Sequence, residues 1–154
     1  MACTTFISQN FGAKNYNRIT EGFAWSLLFA GVFTVFISIL IYTMSPYLSN
    51  LLSNESIIVN NTIFIMKYMS RFYITYFVID IIAATLKAIG YAKECTFVII
   101  TFTCVSRILR LITLDEITPI NVLSAFPISW SLTSIALIMT YCYYRRKTNN
   151  WTKV

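Results

Sequence analysis

Residues 22–44, GFAWSLLFAGVFTVFISILIYTM, carry no charged side chain. At 1.5 Å rise per residue, a helix over that stretch is about 34 Å long, enough to cross the hydrocarbon core of a bilayer. A segment in lipid must satisfy its own backbone polar groups, so the stretch reads as a transmembrane helix. Pro46 follows it. Residues 45–61, with Pro46, Asn50, Asn54, Glu55, Asn60 and Asn61, read as a polar surface loop.

Outward from that helix, three more apolar stretches appear. Residues 63–88 carry Lys67 and Arg71 near one end, Asp80 in the middle and Lys87 at the other end, and Gly90 stops them. Residues 95–114 carry Arg107 and Arg110 towards their far end, followed by an acidic turn at Asp115 and Glu116. Residues 120–144 form the last stretch, with Pro127 inside, a position that frees one carbonyl and kinks a helix. The pattern predicts an all-α fold, an integral membrane helical bundle of four transmembrane helices.

Composition agrees. Of 154 residues, 57% are hydrophobic and 12% are charged, and so few charges cannot cover the apolar surface of a soluble domain. The net charge of +6 lies at helix ends and forms no basic stripe, which argues against nucleic acid as a partner. The absence of histidine removes the commonest metal ligand and the commonest general base. Cys3, Cys95, Cys104 and Cys142 show no C-x-x-C spacing, and Cys95 and Cys104 fall on opposite faces of one helix, so no metal site is expected. The opening residues lack the basic and apolar regions of a secretory leader.

Lys14, Arg18, Lys87, Lys93, Arg145, Arg146, Lys147 and Lys153 fall on one side of this arrangement, and Lys67, Arg71, Arg107 and Arg110 on the other. The excess of cations predicts a multi-pass protein of the cell membrane with both termini cytoplasmic. The basic pairs Lys67 with Arg71 and Arg107 with Arg110 read as headgroup anchors. Membrane lipid is therefore an expected partner.

Asp80 is the one carboxylate well inside an apolar stretch, where a charge costs at least about 2.5 kcal/mol unless it faces protein or water. On an ideal helix its face also carries Tyr73, Tyr76, Phe77, Ala83, Ala84 and Lys87. A carboxylate beside aromatic rings suits an organic cation, a sodium ion or a proton. The bland alternative is a packing ion pair with Lys87 or with an arginine of another helix, such as Arg107.

Residues 8–18, SQNFGAKNYNR, resemble a Gln-x-x-Gly-Ala signature of the multidrug and toxic compound extrusion (MATE) transporters, with Gly12 permitting the turn and Lys14 and Arg18 lying on anionic lipid. Residues 86–90, LKAIG, with Lys93, are similar to the family's Leu-Arg-Gly-x-Gly turn, with lysine for arginine and alanine for glycine. Ser106-Arg107-Ile108 resembles an arginine pattern of the eleventh helix. Phe126-Pro127-Ile128-Ser129-Trp130 resembles the Tyr-Pro-x-Ser-Trp stretch of the twelfth, and the end from Tyr144 to Trp151 fits a basic tail.

The resemblance implies a carrier of two six-helix lobes that exports organic cations in exchange for Na+ or H+. It implies that residues 1–154 are its C-terminal part, from the end of the eighth helix to the twelfth, with no cofactor beyond the coupling ion. The helical face described above supplies the candidate site, with Asp80, Tyr73 and Tyr76 as substrate or coupling-ion ligands, and Lys87 and Arg107 in ion pairing or gating. Four helices alone cannot form two repeats, so missing N-terminal helices or another transporter chain are expected partners. An alternative is a small four-helix interaction protein that associates with itself or with a full-length transporter, although its glycines offer no G-x-x-x-G face. An enzyme is the weakest class, because no nucleophile has a partner base.

Overall fold

The computed structural model describes residues 2–113 and 118–151, with side chains described as far as Lys147. Leu114, the acidic turn Asp115–Glu116, Lys153 and the side chain of Trp151 lie outside the described residues. Helix makes up 91% of the described residues, with no strand among them. The order is α1 (Ala2–Gly12), α2 (Tyr16–Leu52), α3 (Ser56–Ser70), α4 (Tyr73–Ala88), α5 (Ala92–Ile112) and α6 (Pro119–Trp151). α2, α5 and α6 are each long and apolar enough to cross a membrane, and α3 with α4, taken as one bent unit, makes a fourth crossing. The fold is the expected all-α membrane bundle.

The turn after α1 differs from the sequence reading. Asn15 N–H bonds the Asn10 carbonyl at 2.9 Å and Lys14 N–H bonds the Phe11 carbonyl at 3.0 Å, which closes the helix in a Schellman arrangement. Its left-handed position is taken by Lys14, at φ 55°, and Gly12 keeps a helical backbone. Asn15 then caps α2 by accepting the Arg18 N–H at 3.4 Å. The same closure recurs after α4, where Gly90 does take the left-handed position, at φ 96°, and Tyr91 N–H bonds the Leu86 carbonyl at 2.9 Å. The stop expected at Gly90 is therefore present.

The loop expected over residues 45–61 is largely helix. α2 runs through Pro46 to Leu52, only Ser53–Glu55 connects it to α3, and Asn60 and Asn61 lie inside α3. Proline removes the amide that would have bonded the Tyr42 carbonyl four residues back. Ser45 supplies the replacement, donating its hydroxyl to that carbonyl at 3.0 Å. The helix continues because the carbonyl is not orphaned.

Ser45 and Ser49, one turn apart, are fully buried at the junction with α3, and Ser49 Oγ lies 3.9 Å from Met66 Sδ. They form a small-x-x-x-small pair that lets two helices approach closely. Glycine was the residue sought for that role in the sequence, and serine fills it.

The single span expected over residues 63–88 is broken at Arg71 and Phe72, with a bend of 52°. Phe72 N–H bonds the Met69 carbonyl at 2.9 Å, a three-residue closure tighter than the α-helical one. Hydroxyls on both sides turn inward: Ser70 Oγ donates to the Lys67 carbonyl at 3.2 Å and Thr75 Oγ1 to the Phe72 carbonyl at 2.7 Å. Such local bonds let a membrane helix bend without exposing bare carbonyls to lipid.

The main core gathers Ile7 of α1, Ile19 of α2, Ile79, Ile82, Ala83 and Leu86 of α4, Cys95 of α5, and Leu137 and Tyr141 of α6. It joins the start of α2 to the ends of α4 and α6. Cys95 is buried there and Cys104 is exposed, opposite faces of one helix as the spacing required.

Candidate functional site

α5 and α6 run antiparallel and are stitched by polar side chains. Thr103 and Thr133 share a hydroxyl hydrogen bond of 3.1 Å, Arg107 Nε donates to Ser129 Oγ at 3.2 Å, and Arg110 Nε donates to Ser124 Oγ at 3.4 Å. Arg107 also lies over the Phe126 ring, with Cζ 4.5 Å from the centroid. Both arginines therefore reach polar groups of the neighbouring helix, an engagement the headgroup-anchor reading of this pair did not include. In an apolar medium a guanidinium is retained where it finds acceptors and an aromatic face, and α6 offers both. The other basic pair packs on a ring: Lys67 Nζ and Arg71 Cζ lie 5.4 and 5.6 Å from the centroid of Tyr42.

From Phe126 the aromatic contacts continue towards α4. Phe126 meets Trp130 edge-on at 6.2 Å between centroids, and Trp130 meets Tyr76 at 5.4 Å and Tyr73 at 6.3 Å. Three helices thus gather around one indole: α6 supplies Trp130 and Phe126, α5 reaches Phe126 through Arg107, and α4 contributes its two tyrosines. Trp130, Phe126 and Ser129 were visible in the sequence only as a family-like stretch. Nothing in their spacing revealed that they join α4 to Arg107.

Asp80 follows Tyr76 by one helical turn, on the side of α4 that points away from the core. It is exposed, as are Tyr76, at 44%, and Lys87. Among the described residues no hydrogen bond or ion pair reaches the Asp80 carboxylate. Lys87 acts on it by coulombic attraction alone, two turns along the helix. The expected face is corrected in two places: Ala83 is buried in the core at 6% exposure, and Phe77 turns to α2, its ring 3.4 Å from where a Cβ on Gly31 would stand. What remains on the open face is Tyr73, Tyr76, Asp80, Ala84 and Lys87.

The structure therefore brings Tyr73 and Tyr76 together around Trp130 and links Arg107 to them through Phe126. It places Asp80 beside this group and leaves Lys87 apart, near the end of α4. A carboxylate one helical turn from an aromatic ring attracts cations by charge, and the ring quadrupole adds to it where the cation reaches the ring face. No group of three or more His, Cys, Asp or Glu able to hold a metal gathers among the described residues.

Comparison with curated proteins and with solved structures gives no match. A sequence model of the MatE family matches residues 1–113, from α1 through α5, so α6 with Trp130 lies beyond the matched stretch. With most of its length matched, and with the helices of a membrane bundle, the chain is a multi-pass membrane protein that belongs to the MatE family of multidrug and toxic compound extrusion transporters.

Proposed function

We propose that the chain forms part of an efflux antiporter that exports organic cations in exchange for Na+ or H+, with Asp80 as the cation-binding carboxylate. The observation that carries this reading is the position of Asp80, exposed in the middle of an apolar helix and on the outer face of the bundle. Facing lipid, that carboxylate would cost at least about 2.5 kcal/mol. The face is therefore covered in the working protein, by water or by further helices. Substrate sites of alternating-access carriers form between two repeats near the midplane, and a carboxylate midway along an apolar helix, on the same face as two tyrosines, suits one half of such a site.

On this reading Tyr73, Tyr76 and Trp130 provide the aromatic side of the cavity, and Arg107 holds Phe126 and Trp130 in place. Lys87 attracts Asp80 from the end of the helix when no cation is bound. The transporting unit contains helices in addition to those described here. The localisation that goes with it is the cell membrane, with both termini in the cytoplasm.

Accumulation of a fluorescent organic cation tests the reading. Cells expressing residues 1–154 alone, inserted in the membrane, accumulate the dye as empty-vector cells do. In the assembled exporter, Asp80→Asn keeps the shape and much of the hydrogen bonding but removes the charge. Export then falls sharply at unchanged abundance. Export by residues 1–154 alone, or normal export by Asp80→Asn, refutes the assignment. If Asp80 only pairs with Lys87, the variant loses abundance, and Lys87→Gln added to it restores abundance.

A further inference from the structure

α5 begins and α6 ends at the same end of the bundle, where Tyr91 stacks on Tyr144 with 3.9 Å between centroids. Between the two helices runs a surface groove of about 600 Å³, with Phe97, Val98 and Met139 along its inner part and Lys93 and Glu94 at the helix end. Met139 and Tyr143 carry it on into a second hollow of about 550 Å³ bordered by Arg146 and Lys147. Phe97, Met139 and Tyr143 are 71%, 67% and 64% exposed. The polarity is graded along the helices. Phe97 and Val98 lie one turn deeper than Lys93 and Glu94, and Met139 lies two turns deeper than Arg146 and Lys147.

We propose that this groove is a binding site for one anionic phospholipid, with its phosphate against Lys93, Arg146 and Lys147 and its first acyl methylenes along Phe97 and Met139. The two adjoining hollows are bordered by three cations and one carboxylate, Glu94, so together they favour a headgroup of net negative charge over a zwitterionic one, whose own ammonium the three cations repel. Tyr143 stands between the charged and apolar parts, the level at which an amphipathic ring sits in a bilayer. A transmembrane helix in the same groove would have to bury Lys93, Arg146 and Lys147 without acceptors, a cost that a lipid phosphate removes. Inorganic phosphate could use the cations but would leave the apolar inner part uncovered.

Native mass spectrometry of the full chain, released from detergent after incubation with phosphatidylglycerol or with phosphatidylcholine of the same acyl chains, tests the site. One phosphatidylglycerol is retained in preference to phosphatidylcholine, and glycerol phosphate at equal concentration does not displace it. Lys93→Gln, Arg146→Gln and Lys147→Gln each weaken retention about fivefold, and together they abolish the preference. Lys67→Gln with Arg71→Gln, at the other end of the bundle, leaves it unchanged. Helicity measured by circular dichroism checks the fold of each variant, and the single variants give the reading if the triple variant does not fold. Preference that survives loss of the three cations, that falls equally with Lys67 and Arg71, or that glycerol phosphate displaces, overturns the proposal.

Discussion

Arg107 shows how a membrane protein keeps a charge about one and a half turns inside a helix. One guanidinium edge bonds Ser129 and the flat face rests on Phe126, so the cation is bound by a neighbouring helix instead of reaching for a headgroup. Hydrogen bonds between membrane helices contribute about 0.6 kcal/mol on average and up to about 1.7 kcal/mol, and a charged donor on an aromatic face belongs in the upper part of that range. In a double-mutant cycle, Arg107→Ala and Ser129→Ala show a coupling of about 1 kcal/mol in reversible unfolding from mixed micelles. Arg107→Lys does not restore it, because an ammonium has neither the planar stack nor the fork of donors. Additive losses would return Arg107 to the headgroup anchors. Trp130→Ala removes the ring that both Tyr73 and Tyr76 meet.

At the scale of the element, α2 is a proline-containing helix of 37 residues that does not stop at its proline. The reason is local: the Ser45 hydroxyl takes the carbonyl that Pro46 frees. Ser45→Ala strips that carbonyl of its donor and destabilises the protein by about 1 kcal/mol. In a Pro46→Ala background the restored amide makes the bond itself, and Ser45→Ala costs close to nothing. Equal losses in the two backgrounds, measured by unfolding in the same micelles, would falsify the replacement. This pair also marks how far sequence reading reached. The apolar stretches gave the helices and Gly90 gave their clearest stop, because length without charge and a left-handed glycine act locally. The proline and the asparagines of residues 45–61 suggested a loop, because the rescue by Ser45 depends on geometry that no propensity encodes. The bend at Arg71 was hidden for the same reason: Ser70 and Thr75 favour a break only through the carbonyls they happen to reach. At the candidate site, Asp80, Tyr73 and Tyr76 were legible as a helical face. Trp130 and Phe126, on a different helix, were not, since only tertiary packing brings α6 to that face.

Over the whole molecule, the cations sort by helix end. Phe23 stacks on Tyr141 at 4.8 Å and Tyr91 on Tyr144 at 3.9 Å, which ties the start of α2, the start of α5 and the end of α6 to one end of the bundle. Lys14, Arg18, Lys93, Arg145, Arg146 and Lys147 belong to these termini, and Lys87 lies in the last turn of α4 beside them. The four cations of the opposite end are engaged within the protein, Lys67 and Arg71 on Tyr42 and Arg107 and Arg110 on serines of α6. Orientation follows lysines and arginines in short connections near the helix ends, and we expect cations engaged within helices to weigh less. The bias towards the first end is therefore stronger than a plain count of eight against four. That end is expected in the cytoplasm. A reporter active only in the cytoplasm and one active only outside, fused in parallel after Asn54, Lys93 and the last residue, check this. Only the outside reporter is active at Asn54, and only the cytoplasmic one at Lys93 and at the end of the chain. Cytoplasmic activity at Asn54 would invert the bundle, and the phospholipid groove between α5 and α6 would then open to the outer leaflet. Should Lys67→Gln with Arg71→Gln change the reporter pattern, the engaged cations carry topological weight after all and the plain count is the better guide. Unchanged activity in that variant supports the view that cations bound by Tyr42 no longer compete for the inner surface.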